Sequence, residues 1–228
     1  AGAATPARVE PAPQVAARTV YLVDKPGAQQ SVVMIGRVGA ARDAEAYFAL
    51  QVVNTLLGGS FTSRLNQNLR ERNGYTYGAG SSFTFRPVPG PFVASADVQT
   101  DATAPALTEF FNELRAIEQP VPTEELTRAR SYAALSFPGV FQRVRGTAGM
   151  LGELWLNGLA DDYFATYTDR LLAVTAEDFA GAARRYLDHE RVVVVVVGDR
   201  ARIEAPVRAL GLGDVRVLSL DDVSPPEL

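Results

Sequence analysis

Six consecutive valines, residues 192–197 in the stretch YLDHERVVVVVVGD, constrain the fold of this 228-residue chain more than any other feature. A run of that length suits a buried strand and falls far short of the roughly 20 apolar residues a membrane helix needs. A buried strand must find neighbours for its backbone hydrogen bonds, and most other strand-like segments lie in the first half of the chain. TVYLVDKP alternates from Thr19 and stops at Pro26, and SVVMIGRVG follows at 31–39. YTYGAGSSFTF (75–85) and PFVASADVQT (91–100) alternate on either side of the RPVPGP loop as a hairpin. A last strand is expected at 215–220. Helical patterns fill the middle, so the expected class is α+β, with one mixed, mainly antiparallel sheet and helices packed on one face. A split into two domains between residues 100 and 120 would leave the valine strand without a sheet.

Apolar residues recur at helical spacing over 43–57, where Phe48, Val52 and Leu56 stand four apart before Gly58-Gly59. Phe61, Leu65 and Leu69 mark a shorter helix that stops at Asn73-Gly74. Further helices are expected at 103–118, at 122–136 with Pro122-Thr123 as entry signal, and from about Phe141 to Leu156 after the Pro138-Gly139 break. Asp161 and Asp162 begin another, as does Thr175 with Glu177 and Asp178 behind it, acids being favourable near a helix N-terminus. A short helix is expected from about 201 to 210. Trp155, Phe164 and Tyr167 are expected to form helix–helix core. Residues 1–18, AGAATPARVEPAPQVAAR, are rich in Ala and Pro and lack a sustained apolar period, so they read as a linker or N-terminal arm before a single domain at 19–228.

Composition narrows function by exclusion. A net charge of −4 argues against a general nucleic-acid binder, which needs a basic face. The absence of cysteine rules out thiol chemistry and disulfide stapling. The sole histidine, His189, sits between a helix end and a strand, where a solvated or helix-capping imidazole is expected.

Residues 57–83, LGGSFTSRLNQNLRERNGYTYGAGSSF, set a helix, a sharp Asn-Gly turn and a Tyr/Gly-rich strand in one short unit, with Arg70 and Tyr77 on either side of the turn. Period 2 puts Tyr75, Tyr77, Ala79 and Ser81 on one strand face. Gly78 and Gly80 remove side chains beside them, which lets a substrate backbone or another strand approach. Read from these residues alone, the tyrosines also fit a packing role, with Arg70 paired to Glu71 or another surface acid. Arg64 suits a helix-fixing role and Arg72 a solvated one, while Asn66, Gln67 and Asn68 suit either peptide contact or plain hydration.

This segment closely resembles one in the C-terminal, non-zinc half of the pitrilysin/insulinase-like zinc peptidases. PGAQQSVVMIGRVGAAR is similar to that family's second-strand region, and YFALQVVNTLLGGSFTSRL to its first helix and the turn after it. FPGVF followed by LGELWLNGLADDYFATYTDRLLAVTAEDFAGAARRYL resembles its later helical hairpins. The resemblance implies the processing-peptidase type of α+β fold, with Arg70 and Tyr77 facing a metal site held by a partner domain and Tyr75, Gly78 and Gly80 near the substrate. The family binds zinc through a His-x-x-Glu-His helix and a further glutamate, leaving a fourth position for water. The corresponding helix here reads ARDAEAYFALQVVN and holds no histidine.

The resemblance therefore implies a second half or inactive partner subunit, inactive alone, with no metal or cofactor of its own and zinc in the partner. Only Gly58, Gly59 and Ser60 precede the SRL sequence, which matches the shorter bacterial type. A zinc-bearing domain or subunit, covalently joined or in a heterodimer, and a peptide substrate are the expected partners, with no nucleic acid and no membrane span. The alternatives are a scaffold subunit of the same fold, like the core proteins of a respiratory complex, and a stand-alone peptide-binding module. A start at Ala1 without methionine fits a processed secreted protein, an excised fragment or a trimmed chain equally, and the compartment is open, with the bacterial periplasm or cell exterior expected ahead of the cytoplasm.

Overall fold

The computed structural model describes residues 9–219. The first eight residues of the expected 1–18 arm, and residues 220–228 at the end of the expected domain, lie outside the described residues. Six strands, β1 (Thr19–Asp24), β2 (Gln30–Val38), β3 (Thr76–Phe83), β4 (Pro91–Gln99), β5 (Val193–Gly198) and β6 (Asp214–Leu218), form one sheet in the order β3-β4-β2-β5-β1-β6. The valine strand β5 runs between β2 and β1, antiparallel to the first and parallel to the second, so the late strand does join the early ones. β6 pairs parallel with β1, and β2–β4 and β3–β4 are antiparallel, giving the mixed, mainly antiparallel sheet expected.

Register divides the valines between two environments. Val194 and Val196 oppose Ile35 and Val33, and all four are fully buried beneath the helices. Val195 and Val197 oppose Met34 and Val32 on the other face, where Met34 is 42% and Val32 39% exposed. The strand is therefore covered on one face only, and alternation in β2 and β4 follows the same division.

Helices α1 (Tyr47–Leu57), α2 (Arg64–Asn66), α3 (Thr103–Ala116), α4 (Thr123–Ser136), α5 (Val144–Leu156), α6 (Tyr167–Leu172), α7 (Ala176–Leu187) and α8 (Arg200–Ala209) follow the expected order. α1 buries Leu50, Val52, Val53 and Leu57 completely, and α3 adds Leu107, Phe110 and Leu114. Each fully buried side chain of this size contributes about 1.5–3 kcal/mol of transfer free energy. α7 opens on a capping box: the Asp178 N–H donates to Thr175 Oγ1 (3.1 Å) and the Thr175 N–H donates to Asp178 Oδ2 (2.9 Å). Hydrogen bonds from the Thr175 hydroxyl and backbone hold the Asp178 carboxyl below its ordinary value. Among the described residues no helix is long and apolar enough to cross a membrane.

Three local expectations are corrected. Phe61 was expected on a helical stripe with Leu65 and Leu69, but the helix begins only at Arg64, and Phe61 lies in the preceding loop, 60% exposed. Trp155 was expected in the core with Phe164 and Tyr167, yet it is 83% exposed, while Phe137 stacks on Tyr167 at 3.9 Å between centroids and Phe164 packs beside them. The reason is rotational: Glu153, two residues earlier and about 200° round the helix, turns inward to bond Arg42. His189 is not solvated; its side chain is 14% exposed, with Nδ1 2.7 Å from Glu118 Oε1 and Nε2 3.1 Å from Glu190 Oε1.

Candidate functional site

The segment carrying Arg70 and Tyr77 is held from three directions. α1 ends where the Gly58 and Gly59 N–H groups both reach Asn54 O, at 2.9 and 2.7 Å. Gly58 then runs against β3: its carbonyl accepts from the Ser81 N–H at 3.1 Å, and a side chain at position 58 would strike that same nitrogen. Ser81 Oγ donates back to Asn54 Oδ1 at 2.8 Å, closing the contact. Further on, Leu65 and Leu69 are fully buried and fix the α2 segment to the core.

After α2 the chain widens into a π-helical turn, Gln67–Arg72. Such turns are rare, cost regular hydrogen bonding and recur at functional sites. Asn68 is the wedge: its Nδ2 donates to Glu109 Oε2 (2.9 Å) and Glu113 Oε1 (2.7 Å) on α3, and its own carbonyls accept from Asn73 Nδ2. Gly74, at φ +65°, reverses the chain, with its N–H on Arg70 O and the Tyr75 N–H on Leu69 O. A left-handed φ at this point is the reason for glycine after Asn73.

Arg70 emerges from the wide turn with its guanidinium 4.7 Å from the centroid of the Phe61 ring and Nε 3.4 Å from Glu71 Oε1. Its side chain keeps 37% exposure. The pairing with Glu71 is the one the sequence allowed as a plain surface contact, while the Phe61 ring was not foreseen.

Tyr77 is 91% exposed, and among the described residues its ring stacks on no other and its hydroxyl makes no hydrogen bond. The reason is a bulge: Thr76 opposes Val98 and Ala79 opposes Ala96, so three steps on β3 match two on β4. Thr76 Oγ1 accepts from the Gly78 N–H (3.1 Å) and lies 2.7 Å from Asp97 O, which pins the irregularity. The bulge breaks the period-2 relation that put Tyr75 beside Tyr77. Tyr75 packs half-buried against the core, and Tyr77 is turned out to solvent.

β3 is an edge strand, and its two glycines differ. A side chain on Gly80 would come within 3.1 Å of Gly58 O, so its open space is taken by the end of α1. Gly78 has nothing nearer to that position than Asn66 Oδ1 at 3.9 Å, and stays open. The Asn66 amide is fully engaged, donating to Phe61 O (2.7 Å) and accepting from the Ala79 N–H (3.3 Å), so Asn66 and Asn68 are structural and Gln67 alone of the three faces solvent. Arg64 pairs with Glu125 at 2.8 Å, as a helix-fixing arginine would, and Arg72 is exposed. Both border a cleft of about 670 Å³ shared with Gln67, Glu113 and Arg128.

The donor set of the described residues does not fit zinc. Among the described residues no group of three or more His, Cys, Asp or Glu is placed to hold a metal ion, and the ring nitrogens of His189 already face Glu118 and Glu190. What the site offers is a permanently charged planar donor set and a phenol on a stiff stem, both carried by secondary structure and both reaching solvent.

The family model for the peptidase M16 inactive domain matches residues 2–132. A protein of Rickettsia bellii described as an uncharacterized zinc protease is 29% identical over 104 residues, which is 45% of this chain and 25% of that one. Among solved structures, a peptidase M16 inactive domain from Pseudomonas fluorescens superposes with a TM-score of 0.74 at 24% identity, covering 84% of this chain and 46% of that one. A protease from Helicobacter pylori gives 0.76 at 19% identity, covering 85% and 47%. This chain thus spans about a quarter of the curated relative and less than half of either solved chain.

Proposed function

Because the chain belongs to the peptidase M16 inactive domain family, we propose that it is the non-catalytic half of a zinc-dependent metalloendopeptidase and lends Arg70 and Tyr77 to peptide hydrolysis at a site completed by a zinc-bearing partner. The partner, carrying the His-x-x-Glu-His motif, would supply the metal and the water it activates. This chain's share is donors. As a peptide carbonyl is attacked, its oxygen gains negative charge, and preorganised donors aimed at that oxygen lower the barrier by up to several kcal/mol.

One observation carries the reading. Arg70 and Tyr77 reach solvent, as Gln67 and Arg72 do, from a segment in which Asn54, Asn66, Asn68, Asn73 and Ser81 spend hydrogen bonds on holding its turns to one another and to α3. That pattern, rigid support beneath exposed donors, is what a preorganised site requires. Tyr75 serves as inner support and Gly80 as the seat for α1, while Gly78 leaves the strand clear beside Tyr77 for a peptide backbone.

In a reconstituted pair, Arg70→Ala and Tyr77→Phe each lower kcat about 10-fold or more with assembly intact. The chain alone cleaves nothing. Unchanged kinetics in both variants would overturn the donor role and leave a scaffold subunit as the better account.

A further inference from the structure

The segment that presents Arg70 also walls a second, more highly charged space. The cleft of about 670 Å³ that Arg64 and Arg72 border has Arg128 as a third arginine, set against Glu113 and Glu125. Both acids are already engaged: Glu125 Oε2 accepts from Arg64 Nε at 2.8 Å, and Glu113 Oε1 accepts from Asn68 Nδ2 at 2.7 Å. Arg72 and Arg128 are exposed, and their guanidinium groups form no ion pair or hydrogen bond among the described residues. They stand on separate elements, Arg72 at the end of the π-helical turn and Arg128 within α4, and meet only across the cleft. The cleft therefore carries net positive charge, and a concave surface of one sign concentrates the opposite charge within it.

We propose that this cleft is a subsite for a carboxylate of the peptide, an acidic side chain or the free C-terminus, held by Arg72 and Arg128; the inference rests on the two-part reading above. Two connections tie the cleft to the candidate site. The Arg70 guanidinium lies 4.7 Å from the centroid of the Phe61 ring, and Thr62, the next residue, lines the cleft. Gln67 and Arg72, the first and last residues of the turn that carries Arg70, line it as well. A peptide seated on Arg70 therefore has the cleft beside it. Guanidinium is permanently charged and its planar donors match a carboxylate, so two unpaired guanidinium groups discriminate Glu from its uncharged isostere Gln. A basic side chain finds no free acid there, because Glu113 and Glu125 already serve Asn68 and Arg64.

Peptides of one parent sequence separate the two sources of carboxylate: one Glu walked along an amidated peptide, Gln at the same positions with the amide kept, and the Gln peptide with a free C-terminus. Binding to the isolated chain is followed by NMR at the Arg72 and Arg128 Nε–Hε groups, and cleavage by the reconstituted pair is read as kcat/KM. A carboxylate-bearing peptide should be preferred about 5-fold or more over the neutral one and should shift both resonances. The preference should fall toward unity at high salt and in the Arg72→Gln/Arg128→Gln variant. Response to the Glu peptides marks a side-chain subsite, and response to the free C-terminus a terminal one. No preference for either carboxylate in binding or cleavage, or a preference that survives the double substitution, would overturn the subsite and leave the donor role of Arg70 and Tyr77 standing. Carboxylate preference in binding with no cleavage of any peptide by the pair would overturn the two-part reading and leave the cleft as a carboxylate site. Neither binding nor cleavage would overturn both.

Discussion

Helices α3 and α5 are nearly equal in length, 14 and 13 residues, and both carry apolar residues at helical spacing, yet α3 buries seven residues and α5 buries none. α3 lies against the α2 segment and the sheet, with Phe110 and Leu114 fully enclosed. α5 is tied to the domain by a polar contact, in which Arg42 Nε donates to Glu153 Oε1 at 2.5 Å, while Arg42 Nη1 donates at 3.1 Å to the hydroxyl of Tyr163 in the turn beyond α5. The difference teaches that amphipathic spacing fixes which side chains share a helix face but says nothing about whether the same chain supplies their cover. One helix completes a core, and the other is a surface looking for one.

The contrast is sharpest in how the two helices should respond to truncation. Phe110→Ala removes a fully buried ring from the α3 interface and should cost about 3–5 kcal/mol, read as a lower urea midpoint at unchanged slope. A loss under 1 kcal/mol would mean that α3 is far more loosely packed than its burial indicates.

Arg42→Ala tests the polar tether itself. The side chain is 4% exposed, its guanidinium lies 3.7 Å from the centroid of the Tyr47 ring, and its Nη2 has no partner. Burial works against the charge, but the Glu153 hydrogen bond and the neighbouring phenols outweigh it and raise the Arg42 pKa. Removing the guanidinium leaves the Glu153 carboxylate and the Tyr163 hydroxyl short of a partner. The expected loss is about 1–3 kcal/mol, smaller than for Phe110 because Glu153 can regain water. Hydrogen exchange should show the added opening concentrated in α5, with α3 protected as before; equal loosening of both helices would erase the distinction.

The sheet was legible in the sequence because its signals are local: six valines need neighbours, and the early strands had to supply them, although which two flank the valines, those at Thr19 and Gln30, is set by the fold. Capping at Thr175 and the turn at Asn73-Gly74 were legible for the same reason, since each rests on residues within one turn of each other. The candidate site was legible only in part. Arg70 and Tyr77 could be named and do reach solvent, but the bulge that separates Tyr77 from Tyr75 depends on Thr76 bonding across to Asp97, and the seat of Gly80 depends on Gly58, 22 positions earlier. Trp155 was misplaced because an aromatic at helical spacing is usually core, and the inward turn of α5 is set by Arg42, more than a hundred residues away.

The smallest expected effect decides most about α5. Leu151→Ala in the isolated chain should change stability by no more than about 0.5 kcal/mol, since the side chain is 62% exposed and its removal opens no cavity. The measurement is a urea or thermal unfolding curve beside that of the unaltered chain. A loss above about 2 kcal/mol would place Leu151 in a packed environment, and α5 would then be a second core helix like α3 with no surface left to offer. A neutral result leaves the leucine with no role in holding this domain together, so that whatever keeps a large aliphatic side chain at an exposed position beside Trp155 must act when something else covers it.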